Sequence, residues 1–188
     1  MKVNEIFYSL QGEGHFAGTA AIFIRFSGCN LKCPFCDTQH ECGNEMSPQD
    51  ILSQIRQWPA HHIVVTGGEP ALQVTDELIS LLHRHGYFVQ AETNGTIPLP
   101  DSIDWITCSP KTDRIVYEKV DELKIVFNNN IDFIQRHSSI KAKDYRLQPC
   151  DTGNRSKNEL ITADCIEYIK HNPQWSLSLQ SHKLLNIR

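Results

Sequence analysis

Three cysteines, Cys29, Cys33 and Cys36, lie within the eight residues "CNLKCPFC". Their spacing suits metal binding. Structural zinc takes four protein ligands in a tetrahedron, and the cubane iron–sulfur clusters of electron carriers take four thiolates. A triplet stops one short. On a cubane, three thiolates leave one iron open to an outside ligand. On zinc, Cys42, His40 or His15 would complete the shell. The triplet alone leaves both readings open. The chain has seven cysteines, an odd number, and clustered cysteines without an export signal suggest metal or catalysis more than disulfides. Cys42, Cys108 and Cys165 read as packing residues, since cysteine often behaves as a small buried hydrophobe.

These residues need elements to position them. "AAIFIRF" (21–26 at its core) reads as a strand that delivers the chain into the cysteine loop. Ser47 is suited to an N-cap with Pro48 at the first helical position, and Ile51, Ile55 and Trp58 keep helical spacing to about Trp58. "HIVVT" (62–66) reads as a buried strand broken by "GGEP". Leu78, Ile79, Leu81 and Leu82 give the next helix its apolar face, ended by Gly86. "YFVQAE" (87–92), "WITCS", "ELKIVF" and "DYRLQP" read as later strands, with a short helix at "IDFIQRH". Ile161, Cys165 and Ile169 mark a last helix, and "WSLSL" (175–179) a last strand. Alternating strands and helices imply an α/β fold: a parallel sheet with helices outside it. A closed eight-unit barrel takes about 250 residues, so a partial, open β/α barrel fits 188 residues. The cysteine loop, "GGEP", "TNGT", "SPK" and "QPCD" each directly follow an expected strand. One mouth at the carboxyl ends of the strands can therefore collect all five.

Composition is that of a soluble globular protein, 40% hydrophobic and 21% charged with net charge −4. That balance argues against nucleic acid or an anionic membrane as partner. No apolar run reaches the roughly 18 residues of a membrane span. "MKVNEIFYSLQGEG" lacks the apolar core of a signal peptide, so a cytoplasmic location is expected. A single domain over 1–188 is expected from length and the absence of a linker.

The spacing Cys-x3-Cys-x2-Cys, with Phe35 before the last cysteine, resembles the signature of the radical S-adenosylmethionine superfamily, and "TGGEP" (66–70) resembles its Gly-Gly-Glu-Pro motif. The expected fold is then a partial parallel barrel of the radical SAM type. Two glycines let backbone approach a ligand closely. That edge, with Glu69, could hold the ammonium group of S-adenosylmethionine; a plain turn would also explain the motif. Further stretches narrow the likeness. "YSLQGEG", "FIRFSGCNLKCPFCDT", "ETNGT", "CSPK", "DELKIV" and "SLQSHK" are similar to the 7-carboxy-7-deazaguanine synthase family over nearly the whole chain. The stretch between "SPK" and "DELK" is short for that family.

The resemblance implies a radical lyase with a 4Fe-4S cluster, S-adenosylmethionine and Mg2+. A 5′-deoxyadenosyl radical takes hydrogen from 6-carboxy-5,6,7,8-tetrahydropterin, the ring contracts, ammonia leaves, and 7-carboxy-7-deazaguanine feeds queuosine synthesis. It implies a flavodoxin or ferredoxin as electron donor and a homodimer. Carried over position by position, Cys29, Cys33 and Cys36 hold the cluster, and Thr38, a hard oxygen donor, serves magnesium. Leu10, Gln11 and Gly12 contact the pterin, where a glutamine amide matches a donor–acceptor edge. Arg25 suits the substrate carboxylate, and Thr66 is another substrate contact. Gly68 and Glu69, then Ser109, Pro110 and Lys111, then Gln148, Pro149, Cys150 and Asp151, belong to the cofactor side. Glu13, Glu92, Asn94 and the terminal carboxylate of Arg188 are placed near the same pocket, while His182 and Lys183 lie in a family-like tail that packing or surface exposure would equally explain. Two other readings compete: a superfamily activase that makes a glycyl radical on a partner protein, and a non-enzymatic zinc or iron–sulfur module.

Overall fold

The computed structural model describes residues 1–36 and 38–188, leaving Asp37 outside the description. In chain order the elements are β1 (Lys2–Leu10), β2 (Ala20–Phe26), β3 (Asn44–Glu45), α1 (Pro48–Ile55), β4 (His62–Gly67), a 3-10 turn (Pro70–Leu72), α2 (Asp76–Arg84), β5 (Phe88–Thr93), β6 (Trp105–Cys108), β7 (Lys119–Phe127), α3 (Ile131–His137), β8 (Lys141–Pro149), α4 (Arg155–His171), β9 (Ser176–Leu177) and α5 (Ser181–Leu185).

The strands of the described residues form one open sheet in the order β3-β1-β2-β4-β5-β6-β7-β8-β9. From β2 through β9 every neighbour is parallel. The parallel-sheet expectation needs one amendment: β1 runs antiparallel to both β2 and β3. The last strand is also shorter than "WSLSL", covering only Ser176–Leu177. The first helix stops at Ile55 rather than Trp58. Trp58 instead turns back to Ile55 through a backbone bond and stacks on Tyr8 of β1.

Local chemistry sets the helix ends. Ser47 accepts from the Asp50 amide while the Asp50 carboxylate accepts from the Ser47 amide, a reciprocal cap. Thr75 caps α2 by accepting from Leu78 N, and Gly86 ends it at φ +77°.

Side chains alternate across each strand, and the parallel register aligns them. Ile22, Ile24 and Phe26 pair with Ile63, Val65 and Gly67 on the outer face. There α1 and α2 bury Ile51, Ile55, Leu78, Ile79 and Leu82 against them. Leu123, Ile125, Phe127 and Leu147 make a second outer core under α3 and α4 with Ile134, Ile161 and Cys165. The inner face is largely polar. Glu92 pairs with Thr107, Thr107 with Glu122, Glu122 with Asp144, and Lys124 with Arg146. A polar concave face needs partners, and the β1–β2 loop supplies many. His15 stacks on Trp105 at 4.5 Å and meets Asp144 at 2.9 Å. Phe16 packs edge-on against His62, Phe88 and Trp105. The Glu122 carboxylate accepts from His15 N and Thr107 Oγ1. The loop thus fills the bottom of the barrel and leaves the mouth open. Among the described residues no helix is long and apolar enough to cross a membrane.

Candidate active site at the strand mouth

The cavity at the carboxyl ends of the strands measures about 1270 Å³. Pockets for one drug-sized ligand run to about 1,000 Å³, so two small molecules can lie here side by side. All five motif loops contribute to its wall: Cys29, Cys33 and Cys36 after β2, Gly68 after β4, Asn94 after β5, Ser109 and Lys111 after β6, and Cys150 and Asp151 after β8. Gln11, Arg25, Thr38, Thr66, Gln148 and Pro149 line it too.

The cysteine loop is seated by close backbone contact. Glu69 N donates to Gly28 O at 2.9 Å and Gly68 N to Phe26 O at 3.2 Å. A Cβ at Gly68 would lie 2.0 Å from Gly28 O and 2.9 Å from the Cβ of Cys29. Both glycines of "GGEP" are thus required by packing against the preceding strand and loop. Asn94 Nδ2 and Thr96 Oγ1 hold Asn30, the neighbour of Cys29. Leu31 N–H donates to Cys29 Sγ at 3.4 Å.

Three thiols sharing one wall offer a soft donor set that fits an iron–sulfur cubane. The proposed fourth zinc ligands fit less well. His15 is engaged at the barrel bottom with Asp144 and Trp105. Cys42 is exposed, and its carbonyl accepts from Asn4 and Ser27 near β1. His40 does line the cavity. Among the described residues, no three His, Cys, Asp or Glu side chains gather around one point. Cubane irons sit at separate corners, so their thiolates need not converge in that way.

Four expected site residues stand behind the wall or beside it. Leu10 ends β1 and is 38% exposed. Gly12 lies under the His182 ring, where a Cβ would reach 2.2 Å. Pro110 is buried. Glu69, expected to hold an ammonium group, is 0% exposed. Its carboxylate accepts from Thr93 Oγ1 at 2.7 Å, Asn94 N at 2.7 Å and Ala71 N at 3.1 Å. Burial pushes its pKa up, against those bonds. The carboxylate ties the turn after β4 to the end of β5, and Gly68 alone of the pair faces the cavity.

Arg25 and Thr66 are paired across β2 and β4. Arg25 Nε donates to Glu5 Oε1 at 2.8 Å, and Nη1 to Thr38 Oγ1 at 3.5 Å. The Arg188 guanidinium also meets Glu5, and the Arg188 terminal carboxylate accepts from Ser9 Oγ at 2.5 Å. The Asp151 carboxylate, expected to accept from a ligand, accepts from Gly153 N, Asn158 Nδ2 and Lys183 Nζ. These bonds, led by Lys183, hold its pKa far below the usual carboxylate range. Lys111 Nζ donates to Ser109 O and Oγ. Burial, then nearby Lys124, draws its pKa down to about 8.

Among the lining residues that escaped the sequence reading are Lys124 and Gln180. The signal for Lys124 is in "ELKIV": Glu122 and Lys124 place two charges on one face of the strand, between Val120 and Val126.

A family model for the radical SAM superfamily matches residues 23–126. The 7-carboxy-7-deazaguanine synthase of Bacteroides thetaiotaomicron is 50% identical over all of this chain and 98% of its own. The chain belongs to the 7-carboxy-7-deazaguanine synthase family. A second member, from Burkholderia multivorans, is 41% identical and covers 98% of each chain. The crystal structure of QueE from Escherichia coli superposes with a TM-score of 0.80 at 29% identity, over 96% of this chain and 94% of that one. Membership in this radical SAM family implies a 4Fe-4S cluster and S-adenosylmethionine as the groups this cavity serves, in agreement with the thiol set.

Proposed function

We propose that this chain is a 7-carboxy-7-deazaguanine synthase, a carbon–nitrogen lyase that converts 6-carboxy-5,6,7,8-tetrahydropterin to 7-carboxy-7-deazaguanine with loss of ammonia in queuosine biosynthesis. One observation carries the reading. A single cavity joins the cysteine triplet to a wall of amide, carboxylate, ammonium and guanidinium groups, in a chain related end to end to synthases of that name. A glycyl-radical activase has no use for that second wall.

Cys29, Cys33 and Cys36 hold the cluster. The backbone of Gly68 faces the methionine portion of S-adenosylmethionine, and Glu69 holds that backbone in place from behind. Ser109, Pro110 and Lys111 form one side of the nucleoside site, and Gln148, Pro149, Cys150 and Asp151 the other. Bound there, the cluster and S-adenosylmethionine would supply radical chemistry for hydrogen abstraction from the pterin. Arg25, with Thr66 beside it, receives the substrate carboxylate, and the Thr38 hydroxyl supplies a ligand to Mg2+ next to it. Gln11 presents its amide to the ring edge, while Leu10 and Gly12 shape the loop that carries it. We read 1–188 as one radical SAM domain in the cytoplasm, reduced by a flavodoxin or ferredoxin and paired as a homodimer. Exposed Leu160, Leu184 and Leu185 are apolar surface available for that pairing.

The test is an oxygen-free assay with reductant, S-adenosylmethionine, Mg2+ and the carboxypterin, read by mass spectrometry. Ring-contracted product is expected. Cys33→Ala is expected to abolish both iron–sulfur loading and turnover, while Cys165→Ala, in the outer core, leaves both nearly intact. Product formation by Cys33→Ala would remove the ligand assignment.

A further inference from the structure

Lys124 projects from the inner face of β7 and is 3% exposed. Its Nζ lies 2.5 Å from Glu13 Oε2 and 3.4 Å from Glu92 Oε2. The second oxygen of Glu13 accepts from Gln180 Nε2 at 2.8 Å. The second oxygen of Glu92 accepts from Gln11 Nε2 at 3.0 Å. Glu13 N closes the ring by donating to Gln11 Oε1 at 3.2 Å. Residues from the β1–β2 loop, β5, β7 and the segment before α5 therefore meet around one ammonium group. All five line the cavity, and none comes from the cysteine loop.

Burying an ammonium group costs several kcal/mol before its partners offset it. An apolar side chain would serve the strand alone at less cost. Two carboxylates around one ammonium leave a net charge of −1 at the cavity wall, with acceptor lone pairs to spare. That surplus suits a donor-rich edge: the ring N–H and exocyclic amine of an amino-substituted fused pyrimidine.

We infer that Lys124 is a positioning residue for substrate recognition, fixing Glu13 and Glu92 so that their carboxylates face the N–H edge of the pterin. The inference rests on the pterin reading of the site. The charge environment agrees with the geometry. Burial raises the Glu13 pKa, but Lys124, backed by Gln180 and His182, holds it down to about 2. Lys124 in turn is kept protonated by Glu13, Glu92 and Glu122 despite burial. Lys111 faces both from the loop after β6. Without the ammonium, burial acts on Glu13 with less opposition and the carboxyl takes up a proton more readily.

The test uses the full chain carrying cluster and S-adenosylmethionine, with wild type, Lys124→Met and the double variant Lys124→Met/Glu13→Gln. The double variant preserves the net charge of the ring, which guards against loss of folding. Pterin binding is measured by anaerobic equilibrium dialysis, KM and kcat by turnover, and iron by content per chain. Lys124→Met is expected to weaken pterin binding and raise KM by about 30-fold or more, the scale of breaking a buried charge pair. Its kcat/KM should depend more steeply on pH than that of wild type, rising with pH as the Glu13 carboxyl, freed from the ammonium, ionises. Iron content should be unchanged. The double variant should bind weakly without that pH dependence. Pterin affinity within about twofold of wild type in either folded variant would overturn the inference, and so would failure of both variants to fold, which would make Lys124 a scaffold residue. A wild-type protein that neither binds nor converts the pterin is a different failure, since it removes the reading beneath.

Discussion

Glu13 is held by two partners, Lys124 and Gln180, and its carboxyl is stabilised as an anion down to about pH 2. The ordinary value is 4.5. A carboxyl depressed by folding adds stability above its unfolded pKa and loses it as pH falls toward the folded one. In the iron-free protein, Glu13→Gln should therefore melt below wild type at neutral pH. The gap should close as pH falls from about 5 toward 2. A gap independent of pH would show that the ion pair is not what Glu13 contributes. The residue scale also separates what the sequence could disclose from what it could not. The cysteine triplet was legible because its ligands are local, seven positions from first to last. Arg25 was legible as a residue needing a partner, and Glu5 and Thr38 provide two. The Lys124 ring was not. Its members, from Gln11 to Gln180, are scattered along the chain, and only the barrel brings them together. Glu69 misled for the opposite reason: a motif acid suggested a ligand contact, yet three donors from its own and the neighbouring strand end occupy it.

Among elements, the contact between the turn after β4 and the loop after β2 controls the metal side. Gly68→Ala would push a methyl group into Gly28 O, and the obstacles are the Gly28 backbone and the Cβ of Cys29, neither the far end of a flexible side chain. A destabilisation of about 2–3 kcal/mol is expected from such overpacking, with a matching drop in iron loading. Thermal melting and iron content measure the two effects, and unchanged values for both would disprove the steric argument. The central strands were legible because their outer faces are continuous apolar rows and each precedes a chemical motif. β1 was hidden by a register shift between Val3 and Glu5, which breaks the alternation that marks a strand. β9 is two residues long, too short for any period. Neither failure touched the five motif loops, because those follow β2, β4, β5, β6 and β8.

At the scale of the molecule, the segment from Ser178 to Ser181 clasps the β1–β2 loop. Ser178 Oγ accepts from Gly14 N, while Ser181 N and Oγ both donate to Gly12 O. Removing residues 181–188 should leave the sheet and iron content intact but raise KM for the pterin on the order of tenfold, the loss of a preorganised loop. An unchanged KM would free the loop from this clasp. The same contact has a consequence in time. Gly12 and Ser181 are 169 positions apart, and a ribosome adding 5–20 residues each second spans that distance in roughly 10–30 seconds. The strands that seat the cysteine loop, β2, β4 and β5, are all made by residue 93. A nascent chain therefore has the neighbours of its metal loop long before its substrate loop is fastened. Ribosome-bound chains stalled between these points should take up iron and sulfide while showing no grip on the pterin.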